Sequence, residues 1–156
     1  MSTGAMKFSV GSTGLRWSFT PVEAILGGQL VEWRAIGSLP GVRACGVAAA
    51  DSALVAGIAL HDIRATAASV QDRQVVGMEH ALNVVSFVVE AVTFSAAATR
   101  GQALVPTALG KVAPVAAVTT PTAGDVTSTR LICGFCAQDS VSSGAVGLAF
   151  IVPTGG

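Results

Sequence analysis

Residues 28–62, GQLVEWRAIGSLPGVRACGVAAADSALVAGIALHD, contain the clearest secondary-structure pattern of the sequence. Short apolar runs at residues 29–33, 42–49 and 55–61 are separated by clusters of Gly, Pro, Asp and Ser. Apolar runs of this length between such turn residues predict β-strands. The segment therefore predicts a unit of strand, turn, strand, turn and strand that ends near Asp62.

The same spacing continues outward from this segment. From Leu15 onward, apolar runs rich in Val and Ile are interrupted every 8 to 15 residues by Gly, Pro, Asp or Ser. This spacing predicts an all-β fold, either an antiparallel β-sandwich or a small β-barrel of about ten short strands, with at most one or two short helical turns. The helical turns are expected at residues 20–23, where Thr20, Pro21 and Glu23 have capping-box spacing, and at 63–69. The predicted strands are residues 15–20, 29–33, 42–49, 55–61, 75–79, 84–93, 103–106, 111–118, 131–137 and 146–152.

A later segment, residues 101–139, echoes the first one. Each copy begins with a Gly-Gln pair, has a Gly at its second strand and another in its third strand, and ends with Asp. The first and last Gly are 29 residues apart in one copy and 33 in the other, and the extra length falls in the loop-like residues 119–129, TTPTAGDVTST. Two related three-strand units could pack face to face or form one barrel.

The chain of 156 residues is long enough for one domain with a core of its own. Residues 1–14, MSTGAMKFSVGSTG, are rich in Gly, Ser and Thr, with the isolated apolar residues Met6, Phe8 and Val10. This composition predicts either a frayed terminus or a flexible N-terminal arm that becomes ordered on a partner, with Phe8 as an anchor. We expect a single β domain over residues 15–156.

The charge composition excludes some partners and favours others. Nine basic and nine acidic residues give a formal net charge of zero, so no overall field would attract nucleic acid or an anionic membrane. The least polar stretch, residues 44–60, contains Asp51 and is too short to span a bilayer. Only 12% of residues are charged, about half the usual fraction. A sparsely charged, neutral surface favours association, so the composition predicts a subunit of a larger assembly.

Motifs for catalysis, metal or cofactor binding are weak throughout. Cys133 and Cys136 have the spacing of redox and zinc motifs, but they fall in a predicted strand, where positions three apart face opposite ways. His61 and Asp62 are adjacent and likewise face opposite ways in a strand, and no nucleophile-elbow motif accompanies them. Gly110-Lys111 lacks the preceding Gly of a phosphate loop. We therefore predict no enzyme activity, no cofactor and no metal.

The aromatic residues are few, and the chain contains no Tyr. Trp17 and Trp33 alternate with polar neighbours on strands that could be adjacent. They are either core or lid residues, or anchors of an interface, where Trp is the most enriched residue type.

Taken in order and spacing, these runs resemble the cement or head-decoration proteins of tailed-bacteriophage capsids. The resemblance covers nearly the whole chain and rests on strand-and-turn patterns, which are residues 27–31, 47–62, 96–105, 110–112, 132–135 and 147–152. It implies a compact β decoration domain that binds the outer surface of the assembled major-capsid shell and stabilises it. It also implies a homotrimer, no cofactor, and a location on the capsid exterior of the virion after synthesis in the host cytoplasm.

The residues expected to contact the capsid or another subunit are Met6, Phe8, Trp17, Trp33 and Phe150. An alternative from another class is a β-sandwich binding module for a glycan or a host surface. The partners expected on the first interpretation are the major capsid protein and further copies of this chain, with neither nucleic acid nor a membrane involved.

Overall fold

The computed structural model describes residues 14–35, 43–63, 82–115 and 131–154. Over these ranges the chain is built from short strands, with one short 3-10 turn at Ala108–Gly110, so the all-β prediction is confirmed. The strands are β1 (Leu15–Pro21), β2 (Leu30–Arg34), β3 (Ala44–Val47), β4 (Val55–Ala59), β5 (Leu82–Ser86), β6 (Val88–Thr93), β7 (Ala98–Thr99), β8 (Ala103–Thr107), β9 (Lys111–Pro114), β10 (Gly134–Cys136), β11 (Ser140–Val141) and β12 (Val146–Ile151).

The strands form a closed barrel, a separate sheet and a small two-stranded ladder. The barrel has the order β1-β3-β2-β4-β5, and β5 pairs back onto β1. The second sheet has the order β6-β12-β10-β8-β9, and β11 pairs with β7. Pairing between named strands is antiparallel except between β1 and β3, where Thr20 lies opposite Ala44 in a parallel register. The structure thus combines the two predicted architectures, a small barrel and a packed sheet.

The predicted internal repeat is confirmed. In the first copy β2 pairs with both β3 and β4, and in the second copy β8 pairs with both β9 and β10. The flanking strands follow the same plan, because β4 pairs with β5 and β5 with β1, while β10 pairs with β12 and β12 with β6. The repeat therefore extends to five strands, beyond the three that the sequence indicated.

The repeat is built on the same turn in both copies. Gly28 has φ 85° and Gly101 has φ 83°, a left-handed conformation that favours glycine. The side-chain oxygen of the next residue, Gln29 or Gln102, accepts a hydrogen bond from the backbone N–H three residues earlier, at 2.8 Å in each copy. The Gly-Gln pairs noticed in the sequence therefore mark a specific turn at the start of β2 and of β8.

The core consists of two clusters, one inside the barrel and one between the barrel and the second sheet. The barrel encloses one core cluster, which includes Phe19, Val31 and Leu82. A second cluster combines residues from the barrel wall, such as Leu30 and Ile58, with residues from the second sheet. After β12 the chain returns to the barrel, where the Val55 N–H donates to the Thr154 hydroxyl at 2.8 Å. One face of the second sheet is therefore buried, and its other face points away from the barrel.

Several local predictions need correction. Residues 20–23 form no helical turn, because Pro21 ends β1 and the Glu23 carboxylate accepts a hydrogen bond from the Val47 N–H instead of capping its own segment. The predicted strand at 84–93 is two strands, since Phe87 adopts a left-handed φ of 56° between β5 and β6.

The short strands β7 and β11 were missed by the sequence analysis. The predicted strand at 75–79, the helical turn at 63–69 after Ile63, and the arm before Gly14 lie outside the described residues. Among the described residues, no helix is long and apolar enough to cross a membrane.

Candidate interaction surfaces

The outward face of the second sheet is apolar, and we call it the sheet face. Its members alternate with buried residues along β6, β12 and β10, as the pleat of a strand requires. The exposed fractions are 47% for Val89, 65% for Val146, 45% for Leu148 and 42% for Phe135, and Phe150 is half-buried among them.

The strand register makes the sheet face continuous. Phe150 lies directly opposite Val89 on one side and Phe135 on the other, and Leu148 lies opposite Ala91. Directly opposite residues are close enough for their side chains to pack. These residues therefore form one surface that extends across three neighbouring strands.

The sheet face lacks the charges that usually cover the solvent side of an antiparallel sheet. The strands of the second sheet contain only Glu90 and Lys111 as charged residues. Glu90 is opposite the buried Ala149 and so alternates away from the sheet face, whereas Lys111 on β9 lines the same pocket as Val146 and borders the face at that end. From strand spacing and rise, the face covers roughly 300 Å². A patch of this size on a soluble protein often marks a binding site.

The second surface lies at one end of the barrel, where Trp17, Phe19, Trp33 and Arg43 form what we call the aromatic cluster. The ring centroids of Trp17 and Trp33 are 6.0 Å apart at 79°, and those of Phe19 and Trp33 are 4.7 Å apart at 66°. Such steeply inclined contacts are a favoured packing of aromatic rings. Phe19 is buried, whereas 39% of Trp33 is exposed. The strands that carry the two Trp residues, β1 and β2, are not adjacent, since β3 lies between them. The two side chains nevertheless contact each other.

Arg43 completes the aromatic cluster. Its guanidinium carbon is 4.9 Å from the centroid of the Trp17 ring, within the range of a cation–π interaction. Its backbone carbonyl accepts a hydrogen bond from the Thr20 N–H at 2.8 Å, which fixes the start of β3 beside β1. Arg43 was not predicted to lie here, because only the barrel topology brings it to Trp17.

The cysteines are structural. Cys45, Cys133 and Cys136 are free and buried. Burial raises the pKa of Cys133 to about 12, and burial followed by the nearby Glu23 carboxylate raises the pKa of Cys45 to about 12. Cys133 and Cys136 do not face opposite ways as expected but lie in one core cluster, because β10 begins only at Gly134.

His61 and Asp62 also have structural partners. The backbone N–H of Asn83 donates to His61 Nε2 at 3.2 Å, so Nδ1 carries the proton and donates to the Asp62 carbonyl at 3.2 Å. The Asp62 carboxylate accepts a hydrogen bond from the Gly27 N–H at 2.7 Å. These contacts brace the turn before β2 against the end of β4. In the described ranges no group of three or more His, Cys, Asp or Glu side chains could hold a metal ion.

The structure divides the predicted contact residues between the two surfaces. Trp17 and Trp33 belong to the aromatic cluster, and Phe150 belongs to the sheet face. Met6 and Phe8 lie outside the described residues. Phe135, Val89 and Leu148 were not predicted, although each is an apolar residue that alternates with buried neighbours along its strand.

The comparisons with known proteins establish the fold. The sequence matches no protein-family model and none of the curated proteins. The fold is similar to that of the head fiber gp8.5 N base in bacteriophage phi29, a crystal structure, with a TM-score of 0.59 and 10% sequence identity. The similarity covers 89% of this chain and 94% of that one. The two proteins therefore share a β architecture over nearly their whole lengths.

Proposed function

We propose that this protein is a structural component of a phage head that binds the outer surface of the assembled major-capsid shell and stabilises it. The observation that carries the proposal is the sheet face, an apolar and uncharged surface exposed on a folded chain. The shared architecture with a head-fiber base supports an association with the phage head. The resemblance of the sequence to capsid decoration proteins supports the same role.

The size of the sheet face explains why a repeating partner suits it. A stable protein interface buries about 800 Å² on each partner, whereas the face offers roughly 300 Å². Burying that area on both sides contributes about 15 kcal/mol at 25 cal/mol/Å², which is comparable with the estimated 4–15 kcal/mol cost of association. A single contact is therefore weak, and a lattice that offers several contacts at once strengthens it by avidity.

Stabilisation of the shell follows from linkage. A protein that binds the closed shell, and not its broken form, shifts the equilibrium towards the closed shell. The size of the shift depends on the occupancy of the sites and on the affinity at each of them. A homotrimer at three-fold positions stays a prediction of the family resemblance, and a mass measurement of the purified chain tests it.

The direct test uses phage heads assembled without this protein. The purified chain is added at increasing concentration, bound protein is measured by co-sedimentation, and the disruption temperature of the heads is followed by release of their DNA. We expect saturable binding and a higher disruption temperature. Heads that bind no protein, or bind it with no change in disruption temperature, contradict the proposal. Removal of bound copies by protease from intact heads checks that they lie outside.

A further inference from the structure

The aromatic cluster presents a positive charge that has no counterpart in the described part of the chain. The Arg43 side chain is exposed and its guanidinium is stacked on Trp17. The ion pairs found among the described residues join Arg34 to Glu32 and Arg100 to Asp139, each at 2.8 Å. Arg43 takes part in neither of these two ion pairs.

The carboxylates that contact residues in and next to β3 or its partner strand have other partners. Glu32 is buried, pairs with Arg34, and also accepts a hydrogen bond from the Ala49 N–H at 3.1 Å. Glu23 accepts a hydrogen bond from the Val47 N–H at 2.7 Å. Both carboxylates therefore stabilise the loops around β3 and do not neutralise Arg43.

The geometry around Trp17 favours recognition of a carboxylate. A guanidinium held over a ring is already oriented, so it loses less rotamer entropy when it binds. Its planar fork can then donate two parallel hydrogen bonds to a carboxylate. Trp33, whose ring centroid is 6.0 Å from that of Trp17, is partly exposed and can cover an apolar neighbour of that carboxylate. Trp and Arg together are the residue types most enriched in binding hot spots.

The same geometry disfavours a sugar as the occupant. A sugar ring stacks flat on an open aromatic face. One face of Trp17 is covered by Arg43, and Trp33 meets both Trp17 and Phe19 at steep angles within 6.0 Å. The cluster therefore offers an edge and a charge in place of a flat platform.

We propose that the aromatic cluster is a second attachment site, at which Arg43 binds an acidic side chain of the partner protein while Trp33 packs against an apolar residue beside it. This inference rests on the proposed function, because the partner is the capsid shell. The aromatic cluster differs from the sheet face in chemistry, since binding at the sheet face needs no charge and binding at the cluster needs a carboxylate on the partner. Binding to heads is therefore partly sensitive to salt, and Arg43 is the cause.

The test measures binding of full-length variants to heads assembled without this protein, at 50 and 200 mM NaCl. Arg43→Ala removes the donors, and a hot-spot loss of about 2 kcal/mol corresponds to binding about 30-fold weaker at low salt. Arg43→Glu weakens it further by repulsion, and Arg43→Lys restores only part of the affinity, because an ammonium lacks the planar fork. Loss of the charge pair also flattens the salt dependence of Arg43→Ala relative to that of the natural chain.

The matched control is Arg100→Ala, which makes the same change at an exposed ion pair in the turn after β7, where 66% of the Arg side chain is exposed. We expect it to bind within about twofold of the natural chain. Thermal unfolding of every variant confirms that it is folded.

Two results overturn the inference in distinguishable ways. If the natural chain binds heads and Arg43→Glu binds equally well, the cluster site is refuted while the proposed function stands. If the natural chain binds no heads, both are refuted. Binding that is lost when surface sugars are removed enzymatically from the heads assigns the cluster to a glycan and also refutes the inference.

Discussion

Leu148→Glu places a carboxylate in the middle of the sheet face and tests whether that face binds the shell. Full burial of a Leu side chain contributes about 1.5–3 kcal/mol. Because 45% of Leu148 is still exposed in the free protein, about 1 kcal/mol of that contribution is gained on binding. An unpaired carboxylate in the contact adds a desolvation cost of at least ~2 kcal/mol. The total of ~3 kcal/mol predicts binding to heads that is weaker by a factor of about 100 or more.

The fold itself should tolerate this change. Leu148 is half exposed, and its neighbour across the strand pair is the small residue Ala91, so the free energy of unfolding changes by less than about 1 kcal/mol. For a chain of this size that is a shift in Tm of at most about 4 °C. The assay is co-sedimentation with heads, and thermal unfolding followed by circular dichroism provides the stability.

Two controls separate the sheet face from general effects. Leu148→Met keeps the position apolar and should keep the affinity. Leu26→Glu introduces the same charge at a Leu that is 60% exposed in the turn before β2 and belongs to neither surface, so it should bind within about twofold of the natural chain. Leu148→Glu with unchanged affinity, or Leu26→Glu with an equal loss, refutes the reasoning.

Three further predictions concern the fold. Gly134→Ala brings a Cβ onto the backbone carbonyl oxygen of Phe150 and should lower the free energy of unfolding by about 1–3 kcal/mol. Gly144→Ala, with open space around it but φ 79°, should cost only about 1 kcal/mol, and equal losses in urea unfolding would contradict the clash. Gln29→Ala and Gln102→Ala each remove the same turn hydrogen bond and should lower the free energy of unfolding by about 1 kcal/mol. Gln29→Ala should have the larger effect, because Gln29 Nε2 also donates to the Leu109 carbonyl at 3.0 Å. A smaller effect of Gln29→Ala would count against the repeated turn. Burial raises the pKa of Cys45 and Cys133 to about 12, so above about pH 9 the unfolded state loses protons that the folded state keeps. The free energy of unfolding is therefore unaffected by these thiols below about pH 9 and falls above it by ~1.4 kcal/mol per pH unit for each thiol. Urea unfolding at pH 7, 9 and 10.5 should show this decline, and a Cys45→Ala/Cys133→Ala variant with the same decline would rule the thiols out as its cause.

The strand pattern and the repeat were predictable because both rest on local residue chemistry. Apolar runs between Gly, Pro, Asp and Ser located most of the described strands, and the Gly-Gln pairs located the repeated turn. The extension of the repeat to β1 and β6 was not predictable, since Leu15–Pro21 and Val88–Thr93 hold equivalent places in the two copies but have no distinctive residues in common. The break at Phe87 was also not predictable, because a left-handed φ is rare for an aromatic residue and leaves the apolar run uninterrupted.

The interaction surfaces were predictable only in part. Trp17, Trp33 and Phe150 were chosen because large aromatic residues often anchor interfaces. Arg43 joins the cluster only through the parallel pairing of β1 with β3, which a single sequence does not specify. The sheet face was hidden because β12 is apolar at every position, a pattern that equally fits a strand buried on both faces.

Imaging of intact heads at a resolution that shows individual strands is the decisive test of the proposed function. We expect copies of this chain on the outer surface of the shell, with Val89, Leu148 and Phe135 turned towards the capsid protein. Heads with no such copies, or copies whose second sheet turns its apolar side to solvent, would contradict it.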